Sequence, residues 1–273
     1  MDKESVEAWL LGRVICRLGL ASRGNSELDR EAVLAAVDRG INYLNWCGQP
    51  DGMRDAIRQL GIRRRQVRIA VQLEARTAND ARRELDSYLG ELNTDYLDVV
   101  TYYYVEAADE WAQVTAAGGA AEMVEAARAA GRIRAIGLTS HQRALAAQIA
   151  TSGRLDLLMI RYNAAHRGAE QDVFPVATRI GLPVVAFTCL RWGELLRSTP
   201  DDPPGFLVPP AAQWYRFVLR HPAVSVALMA PANTRELAEN LALLDEPAML
   251  PDTRYEALAA HGERVRRFAG SFA

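Results

Sequence analysis

Lysine is nearly missing from this chain: of its 32 basic side chains only Lys3 is a lysine. No lysine in the body of the sequence can therefore act as a base, a Schiff-base former or a phosphate anchor. Histidine is scarce as well, with four residues and none before His141, so the first half of the chain has no imidazole to activate a nucleophile. Cysteine is limited to Cys16, Cys47 and Cys189, an odd number at unrelated spacings. That excludes a disulfide framework and a zinc site and reads as three packed thiols. No run approaches the roughly 20 apolar residues that span a bilayer. The opening MDKESVEAWLLGRV has neither the basic segment nor the long apolar core of a signal peptide, which predicts a cytoplasmic protein. A formal charge of -2 leaves no electrostatic footprint for nucleic acid. A small-molecule or protein partner is the expectation.

What is present is regular alternation. Short β-type runs occur at 13 to 21, 41 to 46, 67 to 72, 96 to 104, 133 to 139, 155 to 162, 183 to 189 and 224 to 230. Amphipathic stretches such as SELDREAVLAAVDRG, TANDARRELDSYLGEL, AAEMVEAARAAG and TRELAENLALL fill the gaps. In the first of these, Ser26 and Arg30 suit a cap and first turn, and Gly40 a C-terminal stop. Strand then helix repeated eight times predicts an α/β fold, a parallel (β/α)8 TIM barrel, and runs such as VVAF without polar alternation fit strands buried on both faces. At 273 residues the chain suits one such domain of roughly 250 residues, with no linker and no second domain. The proline-rich 198 to 210 cannot be a helix interior and is expected as a loop after the seventh strand, at the C-terminal face where barrels bind ligands. TRYEALAAHGERVRRFAG is expected as an extra C-terminal helix.

With these motifs placed, the chain resembles the aldo-keto reductase superfamily over nearly its whole length. The stretches that carry the resemblance are RLGLA, AVDRGINYLN, ELNTDYLDVV, GGAAEMVEAARAAGRIRAIGLTSH, RYNAAHRGAEQDVFP, VVAFTCLRWGELL and RHPAVSVALMAPANTRELAENLALLD, in barrel order. The resemblance implies carbonyl reduction by hydride from NADPH bound at the C-terminal barrel mouth. The family's site has an aspartate and a tyrosine after the second strand, a lysine ending the third and a histidine ending the fourth. In this chain those four positions are Asn45, Pro50, Gln72 and Tyr103. With Lys3 the only lysine and His141 the first histidine, no shift of register restores the set.

The same resemblance implies the cofactor contacts. Ser140 and His141 fall where a pair of side chains binds the nicotinamide carboxamide, Met159 replaces the glutamine that assists them, and Phe187 falls where a ring stacks under the nicotinamide. A thioether accepts hydrogen bonds poorly and donates none. The opening of the last barrel helix, APANTRELAEN, would favour a phosphate through its free amides. Glu239 and Asn240 match adenine contacts, Glu236 would oppose a 2′-phosphate, and Arg235, Arg191 and Arg197 are candidate compensating cations. NADP(H) is thus a candidate cofactor, and no metal is implied.

Read as chemistry, the strand ends present Asn45, Cys47, Asp51, Gln72, Glu74 and the run Tyr102, Tyr103, Tyr104. Strand alternation would send Tyr102 and Tyr104 to the face opposite Tyr103, making Tyr103 the candidate donor. A phenol near pKa 10 is a poor acid at pH 7 without a cation beside it. Asn45 and Gln72 are expected to face each other as a neutral replacement for an ion pair, and Asp51 and Glu74 read as carboxylate bases or solvated loop charges. Three functions follow: a divergent NADP(H)-linked oxidoreductase, a non-redox lyase, isomerase or cyclase on the same barrel, or a non-catalytic protein that binds a small molecule at the mouth.

Overall fold

Runs of Val, Ile, Leu and Ala with no polar alternation need cover on both faces, and in the computed structural model, which describes residues 7–22, 27–245 and 250–270, eight of them find it by closing on one another. The chain begins with an antiparallel hairpin, β1 (Glu7–Leu10) and β2 (Arg13–Cys16), turned by Leu11 and Gly12, both at positive φ. The barrel strands follow: β3 (Leu18–Ala21), β4 (Tyr43–Asn45), β5 (Arg68–Leu73), β6 (Leu97–Tyr102), β7 (Ile133–Ser140), β8 (Leu157–Arg161), β9 (Val184–Phe187) and β10 (Val224–Met229). All neighbouring pairs are parallel, and β10 pairs with β3 to close the ring.

Two apolar clusters hold the barrel. One lies between strands and helices and includes Leu44, Trp46, Ile69, Val100, Ile136 and Leu158. The other fills the barrel interior with Tyr43, Ala70, Val99, Leu157, Met159 and Phe187, joined by Leu10 and Ile15 of the hairpin. The hairpin therefore plugs the end at which the strands begin, and the opposite end carries the mouth.

The outer helices are α1 (Arg30–Asp38), α2 (Gly52–Gln59), α3 (Ala78–Leu92), α4 (Ala108–Thr115), α5 (Ala120–Ala129), α6 (Arg143–Ala150), α7 (Val173–Ile180), α8 (Ala211–Leu219), α9 (Thr234–Leu241) and the added C-terminal helix α10 (Asp252–Phe268). Several start at side-chain caps: at α1 Asp29 accepts from Ala32 N (2.8 Å), and at α3 Thr77 Oγ1 accepts from Asp80 N (3.2 Å). None of the helices among the described residues is long and apolar enough to cross a membrane.

Four sequence expectations change. The run at 13 to 21 is two strands that meet at Arg17, the first pairing in the hairpin and the second in the barrel, with the Arg17 guanidinium donating to the carbonyls of Leu219 (2.5 Å) and Val224 (3.0 Å). The cap of α1 is Asp29, three residues before the amide it accepts from; the expected cap Ser26 lies outside the described residues. The 96 to 104 run ends at Tyr102, because Tyr104 adopts a left-handed conformation (φ 45). Two helices, not one, join β6 to β7, α4 being the addition.

The loop at 198 to 210 runs after β9 as expected. It is tied to α10 through Asp202, which accepts from Arg264 Nε (2.7 Å) and lies 3.0 Å from Nδ1 of the fully buried His261.

Candidate functional site at the barrel mouth

The second and third barrel strands deliver amides where charged groups were expected to act. Asn45 is buried at the end of β4; its Nδ2 donates to Cys47 Sγ (3.4 Å), while its Oδ1 has no hydrogen-bond partner among the described residues. Gln72 donates from Nε2 to Met159 Sδ (3.7 Å) across the barrel. The two amides thus serve sulfur atoms and do not pair with each other, contrary to the expected neutral replacement. Pro50 is exposed and offers no donor. Asp51 is the N-cap of α2, its Oδ1 accepting from Arg54 N (2.9 Å) while its Oδ2 is buried with no hydrogen-bond partner among the described residues. Glu74 is exposed. Trp46 packs in the outer cluster, with Nε1 donating to Gln49 O (2.8 Å), and does not fill the mouth.

The fourth strand carries the main surprise. Tyr102 faces the outer cluster against Trp111 (5.8 Å between ring centres), and Tyr103 is buried at 8% exposure. Alternation would send Tyr104 away from Tyr103, yet the two rings stack at 3.9 Å and 26°. The cause is local. At φ 45 the chain at Tyr104 leaves the pleat, and Arg76 fixes the turn by donating from Nη2 to the carbonyls of Tyr103 (2.8 Å) and Tyr104 (3.1 Å). Tyr104 is swung onto the His141 ring (4.3 Å), which in turn lies 5.8 Å from Phe187. Four aromatic rings therefore run in sequence across the mouth.

A cation stands beside this row. Arg161, the last residue of β8, is close enough to Tyr104 and Glu106 for both to favour its charge, while burial, the larger effect, together with Arg143 and Arg191, lowers its pKa from the usual guanidinium value. His141 is held below the ordinary imidazole value, by burial first and by Arg161 second, against the pull of Glu106, whose Oε1 accepts from His141 N (2.7 Å). Burial, then Arg191, Arg161, Arg143 and Arg266, push His166 down to about 4. Both imidazoles are neutral at pH 7, chiefly because they are buried, with the positive field of the neighbouring guanidiniums acting in the same direction.

The positions expected to hold NADP(H) are engaged differently. Ser140 is buried and its Oγ accepts from Gln142 N (3.0 Å). Phe187 is 7% exposed and has His141 against it, so little of its face is free to stack on a nicotinamide. At the opening of α9, Asn233 accepts from Glu236 N (3.0 Å) and Glu236 accepts from Ala232 N (2.9 Å); this capping box places a carboxylate on an amide that a phosphate would use. Arg235 pairs with Glu239 (3.4 Å), Arg197 with Glu194 (2.9 Å), and Arg191 donates to the carbonyls of Ala269 and Gly270. Asn240 is buried at 2% exposure, with Oδ1 unpartnered among the described residues. As arranged, these side chains do not fit NADP(H) in the family's manner. Among the described residues no group of three His, Cys, Asp or Glu is placed to hold a metal.

Tyr104, Arg161 and Glu106 are the mouth residues that sequence reasoning passed over. Arg161 was within reach: it lies two residues beyond Met159 on the same strand, and hence on the same face. The position of Tyr104 depends on a backbone conformation that tyrosine does not advertise.

No curated protein matches the chain in sequence. Among solved structures it is similar to an aldo/keto reductase from Klebsiella pneumoniae in complex with NADP and acetate, at 21% identity over 96% of each chain and a TM-score of 0.76. A second Klebsiella pneumoniae aldo-keto reductase, in complex with NADPH, is 20% identical over 92% of this chain and 93% of its own, with a TM-score of 0.73. The apo form of aldo-keto reductase AKR11C1 from Bacillus halodurans is 17% identical over 93% and 95%, with a TM-score of 0.75. At these identities the likeness speaks for the fold. The model described as "Aldo/keto reductase family" matches residues 17–208, well over half the sequence, and the chain belongs to that family.

Proposed function

We propose that this family member binds a small organic anion, or a carbonyl compound that becomes anionic, at the barrel mouth through Tyr104, His141 and Arg161, and that it does not reduce carbonyls through the family's proton-donor set. The observation that carries this reading is the cluster itself: a partly exposed phenol tilted against a neutral imidazole at 4.3 Å, with a guanidinium near enough to interact electrostatically with both. A carboxylate meets a planar fork of donors at Arg161 and a hydroxyl at Tyr104. An enolate or oxyanion would be stabilised by the same donors in a poorly hydrated setting. The displaced tetrad supports the negative half of the proposal, since Asn45 and Gln72 hold no charge and are turned to sulfur.

The test is calorimetric titration of the full chain with acetate, a 2-oxo acid and a dicarboxylate, beside a fluorescence titration with NADPH. The expected result is saturable binding of at least one carboxylate, weakened about 10-fold or more in Arg161→Gln, as loss of a charge-assisted contact predicts. Equal binding by that variant, or no binding of any carboxylate, would overturn the reading.

One observation favours a second reading, a divergent NADP(H)-linked oxidoreductase with Tyr104 as donor and Arg161 in the role of the missing lysine. It is the proximity of those two side chains in a fold whose Klebsiella pneumoniae relatives were solved with NADP and NADPH. NADPH oxidation by aldehydes that disappears in Tyr104→Phe would select it.

A further inference from the structure

The other end of the barrel holds a cavity of about 270 Å³ with an unbalanced lining. It lies where the strands begin, beneath the hairpin turn, and is bounded by Leu11, Gly12, Arg13, Arg68, Asp98 and Arg134. Three guanidiniums face one carboxylate there, and that carboxylate is already committed. Its Oδ2 accepts from Arg64 Nη1 (2.7 Å) and Ile69 N (3.1 Å); its Oδ1 accepts from Arg68 Nη1 (3.1 Å) and lies 3.7 Å from Arg134 Nη1. Asp98 is therefore spread over three arginines, and Arg13 has no share in it.

The arginines are held in place rather than free to disperse. Arg68 is buried, its side chain 4% exposed, and Asp98 receives its one hydrogen bond to a described residue. Arg134 lies over one face of the Tyr96 ring (3.9 Å) and Arg64 also stacks on that ring (4.1 Å). Arg13 is anchored by a bond from Nη1 to Arg65 O (2.9 Å). Burial first, and then Arg13 and Arg134 against the opposing effect of Asp98, pull the Arg68 pKa down, a sign that like charges crowd the space. Positive charge gathered in excess around a recess is unfavourable unless an anion joins it.

We propose that this closed-end cavity is a binding site for a small multivalent oxyanion, held by Arg13, Arg68 and Arg134 and distinct from the barrel mouth. Its volume is several times the roughly 30 Å³ of a liquid water, enough for a phosphate group or a compact tricarboxylate with its bridging waters. Forked guanidiniums suit both chemistries. The hairpin turn, with Leu11 and Gly12 over the recess, couples occupancy of the site to seating of the plug.

The test is titration of the full chain with inorganic phosphate and, separately, with citrate, at matched ionic strength in chloride. With carboxylate binding at the mouth removed by Arg161→Gln, saturable one-to-one binding is expected, and its dissociation constant should rise about 10-fold or more when Arg134→Gln or Arg13→Gln is added. Both residues reach solvent, so neither change threatens the core; Arg161→Gln at the mouth should leave this binding intact. Binding of phosphate alone assigns phosphate compounds, and of citrate alone carboxylates; either supports the site. Absence of saturable binding by both probes, unchanged affinity in the two closed-end variants, or loss confined to Arg161→Gln would overturn it.

Discussion

Arg76 is the residue on which the shape of the mouth turns, and Arg76→Ala is the perturbation that isolates it. In the native chain Nη2 bonds the carbonyls of Tyr103 (2.8 Å) and Tyr104 (3.1 Å), and Nη1 bonds Glu74 O (2.8 Å). Hydrogen bonds from a charged donor are worth about 1.5–3 kcal/mol each when enclosed; with Arg76 partly exposed, about 1 kcal/mol each for the two that hold the turn is the appropriate scale. Against them stands roughly 1–2 kcal/mol for placing a non-glycine residue in the left-handed region. Losing about 2 kcal/mol removes the margin, so Tyr104 should leave His141 and the anion affinity at the mouth should fall about 30-fold. Stability should drop by about 2 kcal/mol, which lowers the melting temperature by about 4–8 °C in a protein of this size. Calorimetric titration and thermal denaturation read these two effects on one sample. Arg76→Lys, which keeps the charge but loses the fork, should fall between the two. Affinity within about 2-fold of the native value in Arg76→Ala, with the melting point lowered, would refute the claim that this turn builds the site.

Acid should weaken the fold through His166. Its folded pKa of about 4 lies below the ordinary value near 6.5, so its contribution is complete above about pH 6.5 and is lost as pH falls towards 4, by about 2 kcal/mol after allowance for partial exposure. His166→Gln should flatten that part of a denaturation-against-pH curve. Asp202 acts lower: its pKa is depressed to about 2 by Thr199 N, Arg264 and His261 despite the opposing effect of burial, so its share is present above about pH 4 and is lost between there and 2. Asp202→Asn should cost about 2–3 kcal/mol and expose the 198 to 210 loop to limited proteolysis at neutral pH. Gly262 lies in α10 where a Cβ would come 2.3 Å from Ala164 O, so Gly262→Ala should destabilise by about 1–3 kcal/mol in chemical denaturation.

The barrel was legible because its signal is redundant. Apolar runs such as VVAF and VSVALM read as buried strands one at a time, and eight in alternation with helices leave few other architectures. The scarcity of lysine and histidine was equally plain, since it needs only residue identity. Side-chain direction was less so. The rule of alternation fails at Tyr104, whose backbone turns left-handed for reasons that lie with Arg76, 28 residues away, so that its ring lies on that of the buried Tyr103. The hairpin escaped notice because its two strands are four residues each and its pairing is visible only beside the closed end it covers. Asp98 illustrates the same limit: within YLDVV it looks like a break in an apolar strand, and only the approach of Arg64, Arg68 and Arg134 explains it.

The central claim of the proposed function is that this barrel binds an anion at its mouth and does not carry out the family's hydride chemistry. It is tested most directly by following NADPH fluorescence in the presence of the native chain and a panel of aldehydes. The account predicts consumption no faster than in buffer alone, from a protein that still binds a carboxylate at its mouth. Steady aldehyde-dependent consumption of NADPH by the native chain would contradict it.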